Sequence, residues 1–441
     1  MVFRLWRYDN VALLTAIFLV AFALRVMAIL YLDSPDIEIS ESGQTAARLV
    51  AGKGYTFDFY GYRPDHPLRS FMPPLYTLVL AACLRFSENP ALALEILQAV
   101  MSSLTSVMIY FIAANIFARR VGLLSSLATA VYPVFMVLIT QPTVTILNIF
   151  LLSLLIFSLI RLLGRSSLTN SAIVGFLLGL NALSRPLILG FFVGILLWLW
   201  LNRQEITKLW YEIGLVIALF ALLTIAPWTL RNYSIHGQLV PISTNGGFTF
   251  WNGNNPFTTG SGFDVYTDKL RAYTQGQLPP DEGAENPKIM ILQPYPLPRE
   301  LEARVHTLSE VELDRQLYLA SLQFIRDHPW QWLGLVKAKT ISFWWFRPNI
   351  GTYRNFYRSA WVLPYQFVYT GVLLLFAIGL FLSVHRWRVC SLFYLLFMYM
   401  TTAYVSFNVI TRYRWEVESY MLVFAAVAVA YIGQRVVDRF A

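Results

Sequence analysis

Two carboxylates three residues apart, Glu38 and Glu41, form a candidate reactive pair near the start of the chain. They lie in the stretch D-S-P-D-I-E-I-S-E-S-G-Q-T-A-A-R-L-V-A-G-K-G-Y, from Asp33 to Tyr55. Acids on one face suit general acid–base work, in which a positioned carboxylate takes or delivers a proton. Ser34 can cap a helix here, Pro35 suits its first turn, and Gly52 and Gly54 can end it. At about 100° per residue, Glu38, Glu41, Thr45 and Arg48 fall within an arc of about 80°. Ile39, Ala46 and Val50 lie on another flank, and Asp36 is nearly opposite Glu38. The same spacing also describes a solvated face with Glu/Arg pairs a few residues apart. Position in the molecule has to separate the two readings.

Composition supplies that position. Of 441 residues 57% are hydrophobic and 13% charged, and the mean hydropathy is +0.54, outside the range of an ordinary soluble domain. Several runs reach the roughly 20 apolar residues that cross a bilayer, and 13 Trp, 24 Tyr and 32 Phe suit wide membrane–water interfaces. Cys83 and Cys390 fall in separate apolar segments, so neither a disulfide framework nor a metal cluster is implied. The first apolar run lacks an A-x-A-like site after it and reads as a retained signal anchor. The net charge of +9 does not point to nucleic acid, because many basic residues sit in short loops between apolar runs.

Those loops set the topology. Spans are expected at about 11–32, 91–117, 121–139, 143–163, 171–184, 187–201, 211–228, 361–383, 389–409 and 416–434. Residues 73–86 are too short to cross and lie in the interface or re-enter. The short basic loops then share one side: Arg119/Arg120, Arg161/Arg165, Arg203/Lys208, Arg386/Arg388 and Arg435/Arg439, together with Arg4 and Arg7. That is the positive-inside pattern. The expectation is an all-α polytopic membrane protein of about ten transmembrane helices (nine to twelve) in the plasma (inner) membrane. Both termini are expected to be cytoplasmic, and two large extracytoplasmic loops to carry interfacial helices. Three sections follow: an N-terminal catalytic module, 1–228, with its outer loop 33–76; a large loop, 229–360; and C-terminal helices, 361–441.

Gly175 and Gly179 have a spacing that packs helices closely in lipid. Arg185, after a span of only about 14 residues, either faces a cavity or snorkels to head groups, and Arg25 in the first span poses the same choice. The run from Ala226 to Pro256 is dense in Gly, Asn, Pro and aromatics, a composition of turns and of carbohydrate contact alike. His328–Pro348 reads as an interfacial helix whose tryptophans sit beside Lys337 and Lys339. Thr411-Arg-Tyr-Arg-Trp415 brings two arginines back to the outer face. Nucleotide loops, H-E-x-x-H and D-x-D pairs are absent from the sequence, against nucleotide-sugar chemistry and ATP-driven transport.

Four stretches resemble the GT-C superfamily of integral-membrane glycosyltransferases, in its bacterial branch of protein mannosyltransferases and aminoarabinose transferases. They are E-S-G-Q-T-A-A-R-L-V-A-G-K-G-Y from Glu41, M-P-P-L-Y from Met72, P-W-T-L-R-N-Y from Pro227 continuing through T-N-G-G-F-T-F-W-N-G-N-N-P, and His328-Pro-Trp330 with a later Lys and F-W. The resemblance implies a GT-C-like fold and sugar transfer from a polyprenyl-phosphate donor to a lipid, glycan or protein acceptor on the outer side. It also implies that a first-loop acid is the key catalytic group. Many relatives carry Asp where this chain has Glu38, and another subgroup carries Glu in E-x-G-x-I-A, matching Glu41 although Thr45 replaces the isoleucine.

A carrier phosphate leaves as a stable anion, so one carboxylate suffices, unlike the two of most glycoside hydrolases. The expectation is an inverting displacement with Glu41 as base, ahead of Glu38. Arg25, Arg63, Arg185, Arg231 or Lys339 would meet the phosphate. His66, Tyr76, Asn245, Trp251, Asn252 and Asn254 would contact sugar or acceptor. A divalent cation is compatible with this chemistry and not demanded by it. The rival readings are a transporter or flippase, expected to show internal symmetry and paired midplane charges, and a lipid-linked glycan polymerase or ligase.

Overall fold

The computed structural model describes residues 11–32, 34, 36–206, 208–256, 258, 297–345 and 359–440. Arg4, Arg7 and most of the irregular middle of the second loop lie outside them. The helices are α1 (Val11–Tyr31), α2 (Glu41–Val50), α3 (Pro74–Phe86), α4 (Pro90–Ile116), α5 (Arg119–Val131), α6 (Pro133–Val137), α7 (Thr145–Gly164), α8 (Leu168–Ser184) and α9 (Phe191–Leu201). Next come α10 (Trp210–His236), α11 (Gly246–Gly253), α12 (Arg299–Glu302), α13 (Glu310–Asp327), α14 (Pro329–Trp344), α15 (Ser359–Leu382), α16 (Trp387–Ser406) and α17 (Arg412–Phe440). Among the described residues β structure is limited to one isolated antiparallel bridge, Phe57 with Leu68.

Seven of these helices are long and apolar enough to cross a membrane. An eighth forms if α5 and the 133–140 segment, bent by 47° at Pro133, count as one span. The protein is a multi-pass, all-helical membrane protein. The sequence reading of about ten differs by two shorter apolar helices, Leu168–Ser184 and Pro186–Leu201. They are short because Arg185-Pro186 breaks the chain between them: Pro186 has no N–H to continue α8. Leu215, Leu222 and Leu223 of α10 point outward at 56–69% exposure, as a lipid-facing surface would.

The bundle core packs α17 against α15, α5 and α7, and α8 against α10. The second contact depends on Gly175 and Gly179: a Cβ there would come within 2.4 Å of Ile217 O and 2.6 Å of Thr224 Cβ. The glycine spacing is therefore a packing device, and its partner is α10.

A second core joins the two large loops. Phe57, Phe59, Leu68 and Phe71 of the first loop pack with Phe248 and Trp251 of α11 and with Leu301, Val305, Leu313 and Leu317. Glu310, at the start of α13, ties the loops again by accepting from the backbone N–H of Arg69 (2.6 Å) and Ser70 (2.8 Å) and from the Thr244 hydroxyl. Charge-assisted bonds of this kind are the strong ones.

Candidate functional site

A cavity of about 500 Å³ lies where the two loops meet the bundle. Its wall is drawn from the start of α2, residues 71–76, the α8–α9 break, α11, Tyr318 of α13 and residues 404–413.

Glu41 enters it from the first position of α2. Ser40, with extended backbone (φ −99°, ψ 153°), caps that helix by accepting from Gly43 N at 3.1 Å. Gly43 itself is required, because a Cβ would stand 1.8 Å from Ile37 O. Glu41 Oε1 accepts from the Tyr60 hydroxyl at 2.9 Å. Tyr60 is delivered by an unusual turn: Phe59 and Tyr60 both have positive φ (54° and 59°), followed by Gly61 at 84°. Aromatic residues rarely occupy this region, and such strain gathers at functional sites.

The expected helix from Ser34 is corrected here. The cap is Ser40, and residues 37–39 form a separate 3-10 turn, so Glu38 and Glu41 do not share one helix. Glu38 is exposed and is not among the cavity-lining residues. Ser34 instead donates its hydroxyl to Glu95.

Opposite kinds of residue complete the wall. Arg185 lines the cavity, its Nη1 donating to the Tyr404 hydroxyl (2.9 Å) and its guanidinium lying 4.9 Å over the Tyr413 ring. Arg412 lines it too, 5.8 Å from the same ring. Asn245 and Asn252 are also there, with Phe248 and Thr249. These positions recur at helical spacing along α11. Tyr76 completes the predicted residues that the cavity gathers.

The other predicted contacts lie elsewhere, for reasons visible in their bonds. Arg25 is fully buried in the bundle, bonded to Ser102 Oγ (2.8 Å) and to the carbonyls of Ala21 (2.8 Å) and Ala130 (3.0 Å). Arg63 bonds the carbonyls of His66 and Leu308 (both 2.9 Å), and burial pushes its pKa down; the His66 side chain is exposed. Arg231 stacks on Trp228 (4.5 Å) and donates to Arg69 O (2.7 Å), while Asn232 bonds Val240 O and Ile242 O. The P-W-T-L-R-N motif thus pins the chain back along α10. Trp251 belongs to the loop core. Lys339 is buried against Gly253 O, Asn254 Oδ1 and Phe407 O at 3.0–3.2 Å, and burial pushes it down to about 8. Asn254 accepts from Trp332 as well, so the His-Pro-Trp stretch and the N-G-N-N run meet structurally.

Four contributors escaped the sequence reading of the site: Tyr60, Tyr404, Tyr413 and Arg412. Arg412 carried a signal, in Thr411-Arg-Tyr-Arg-Trp415, but spacing could not separate it from Arg414, which is buried in an ion pair with Glu418 at 2.6 Å. Among the described residues no group of three His, Cys, Asp or Glu is placed to hold a metal ion.

Residues 65–228 match the family model described as dolichyl-phosphate-mannose-protein mannosyltransferase; the match includes Tyr76 and Arg185 and begins after Glu41. No curated protein matches the chain. Among solved structures the chain is similar to the apo oligosaccharyltransferase of Archaeoglobus fulgidus, with TM-score 0.59 and 13% identity, covering 97% of this chain and 51% of that one. AglB from the same organism, in complex with an inhibitory peptide and a dolichol-phosphate, gives 0.56 and 11% over 97% and 51%. ArnT from Cupriavidus metallidurans bound to undecaprenyl phosphate gives 0.40 and 15% over 94% and 78%, and adds nothing to the fold assignment. The chain spans about half the length of the oligosaccharyltransferases that it matches. By fold, this chain is similar to the archaeal oligosaccharyltransferase, and the mannosyltransferase family model matches less than half of it.

Proposed function

We propose that the chain transfers a sugar from a polyprenyl-phosphate donor to a hydroxyl acceptor on the extracytoplasmic side of the plasma membrane. The observation that carries this reading is a cavity, between loops and bundle, whose lining among the described residues includes one carboxylate, Glu41, and two arginines, Arg185 and Arg412. The AglB structure holding a dolichol-phosphate supports the donor class.

Glu41 takes the acceptor proton as the acceptor oxygen bonds the anomeric carbon from the face opposite the phosphate, and the carbon–phosphate-oxygen bond breaks with inversion. The departing phosphate carries the electron pair, and Arg185 and Arg412 receive its charge. Asn245, Asn252 and the tyrosine rings hold the sugar, pairing amides with hydroxyls. The apolar tail of the donor lies along the spans.

The test is direct. Purified protein incubated with a panel of polyprenyl-phosphate sugars should release carrier phosphate. Glu41→Gln should lose at least about a thousandfold in turnover while keeping the wild-type melting curve, and Glu38→Gln should stay within about threefold. Full activity in Glu41→Gln removes the assignment of the base.

A further inference from the structure

Behind Arg185 lies a closed polar set that the reaction above leaves unused. Glu416, at the start of α17, is fully buried. Its Oε1 accepts from Asn148 Nδ2 at 3.0 Å and its Oε2 from the Tyr404 hydroxyl at 2.7 Å. Arg185 Nε stands 3.0 Å from Oε1, an ion-pair distance lying off the line of a hydrogen bond. Ser184 closes the set by donating to Asn148. The side chains come from α7, the end of α8, α16 and α17.

Two consequences follow for Arg185. A buried carboxylate survives only with a cation and hydrogen bonds, so Glu416 and Arg185 fix one another. Nε and Nη1 both face this set, Nη2 makes no bond among the described residues, and Arg185 lines the cavity. The pair is also neutral as a whole, so an anion in the cavity meets an aimed donor without the full field of a bare cation.

We infer that Glu416 is a positioning residue that aims Arg185 at the donor phosphate and limits how tightly the released carrier phosphate is held. The inference rests on the glycosyl-transfer reading. It makes a prediction of unusual sign: removing the carboxylate charge should strengthen phosphate binding while slowing turnover.

The experiment measures equilibrium binding of undecaprenyl phosphate to the purified full-length protein in lipid nanodiscs, beside steady-state turnover. Glu416→Gln should bind at least about tenfold more tightly, with kcat reduced and product release limiting. Glu416→Asp keeps the charge but draws it back by one methylene, and should bind at least about twofold more tightly. A merely structural residue would give weaker or unchanged binding in both, and that result overturns the proposal while leaving the transfer reading intact. If Glu416→Gln does not fold, Glu416→Asp decides alone. A wild-type protein that fails to bind the phosphate lipid removes the transfer reading, and the proposal with it.

Discussion

Tyr60 reaches Glu41 through backbone that its side chain disfavours, at a cost of order 1–3 kcal/mol for each of the two strained residues. The strain is offset by the aromatic contacts of Phe59, which stands 5.5 Å from Phe71 and 5.4 Å from Phe248 by ring centroid. The hydroxyl that results holds the carboxylate in one orientation. Tyr60→Phe should therefore leave the melting temperature within about 2 °C and lower kcat roughly tenfold, because one charge-assisted bond to the proposed base is lost. Unchanged kcat in that variant would show that Glu41 is oriented by something else. None of this was legible in the sequence. Glu41 was, through its motif, and Arg185 through its place after a short span. Tyr60 was not, because nothing local announces a left-handed turn at two aromatic residues.

At the scale of elements, α2 depends on its third residue. Gly43→Ala puts a methyl group on the Ile37 carbonyl, and overpacking of this kind costs about 1–3 kcal/mol. The shift falls on the turn that carries Glu41, so activity should drop more than tenfold at a temperature where the protein is still folded. Activity equal to wild type would show that the 37–43 contact can relax freely.

The contact of α11 with α13 is also pH-dependent. Asp314 accepts from Gly247 N at 2.6 Å. Burial, with Glu310 adding to it and the Gly247 N–H opposing, pushes its pKa up to about 6. The folded value lies above the unfolded one, near 3.9, so folding stability is greatest at low pH and falls as pH rises from about 4 through about 6, where the buried carboxyl has to ionise. Asp314→Asn should raise the unfolding free energy by about 1–3 kcal/mol at pH 8 and by little at pH 4. Equal effects at the two pH values would contradict the assignment. The sequence marked α11 as turn-rich and suited to carbohydrate. It could not say that Trp251 and Asn254 face structure while Asn245 and Asn252 face the cavity, since that division appears only once the segment is helical.

Over the whole molecule the apolar runs were the most legible feature, since roughly 20 apolar residues have few other uses. Each expected span has a helix at its position, and the count stays open at the bent 119–140 pair and at the two short helices around Arg185. Orientation can be tested with single cysteines after Cys83 and Cys390 are replaced. A cysteine at the exposed position Asp65 should react with an impermeant thiol reagent in intact cells, and one at Arg203 only after permeabilisation. The reverse pattern would place the cavity on the cytoplasmic side. What the sequence could not convey was the meeting of distant segments: Glu310 with Ser70, or Glu416 with Arg185, lie more than two hundred residues apart.

The aromatic core shared by the two loops limits how this protein can be re-engineered. Phe57, Phe59, Leu68 and Phe71 have no partner layer of their own, since Phe248 and residues of α13 supply it. A chimera that swaps one loop from a relative would leave half an interior facing foreign side chains, with the Glu310 clasp closing on the wrong backbone. New acceptor preferences should therefore transplant only when both loops travel together.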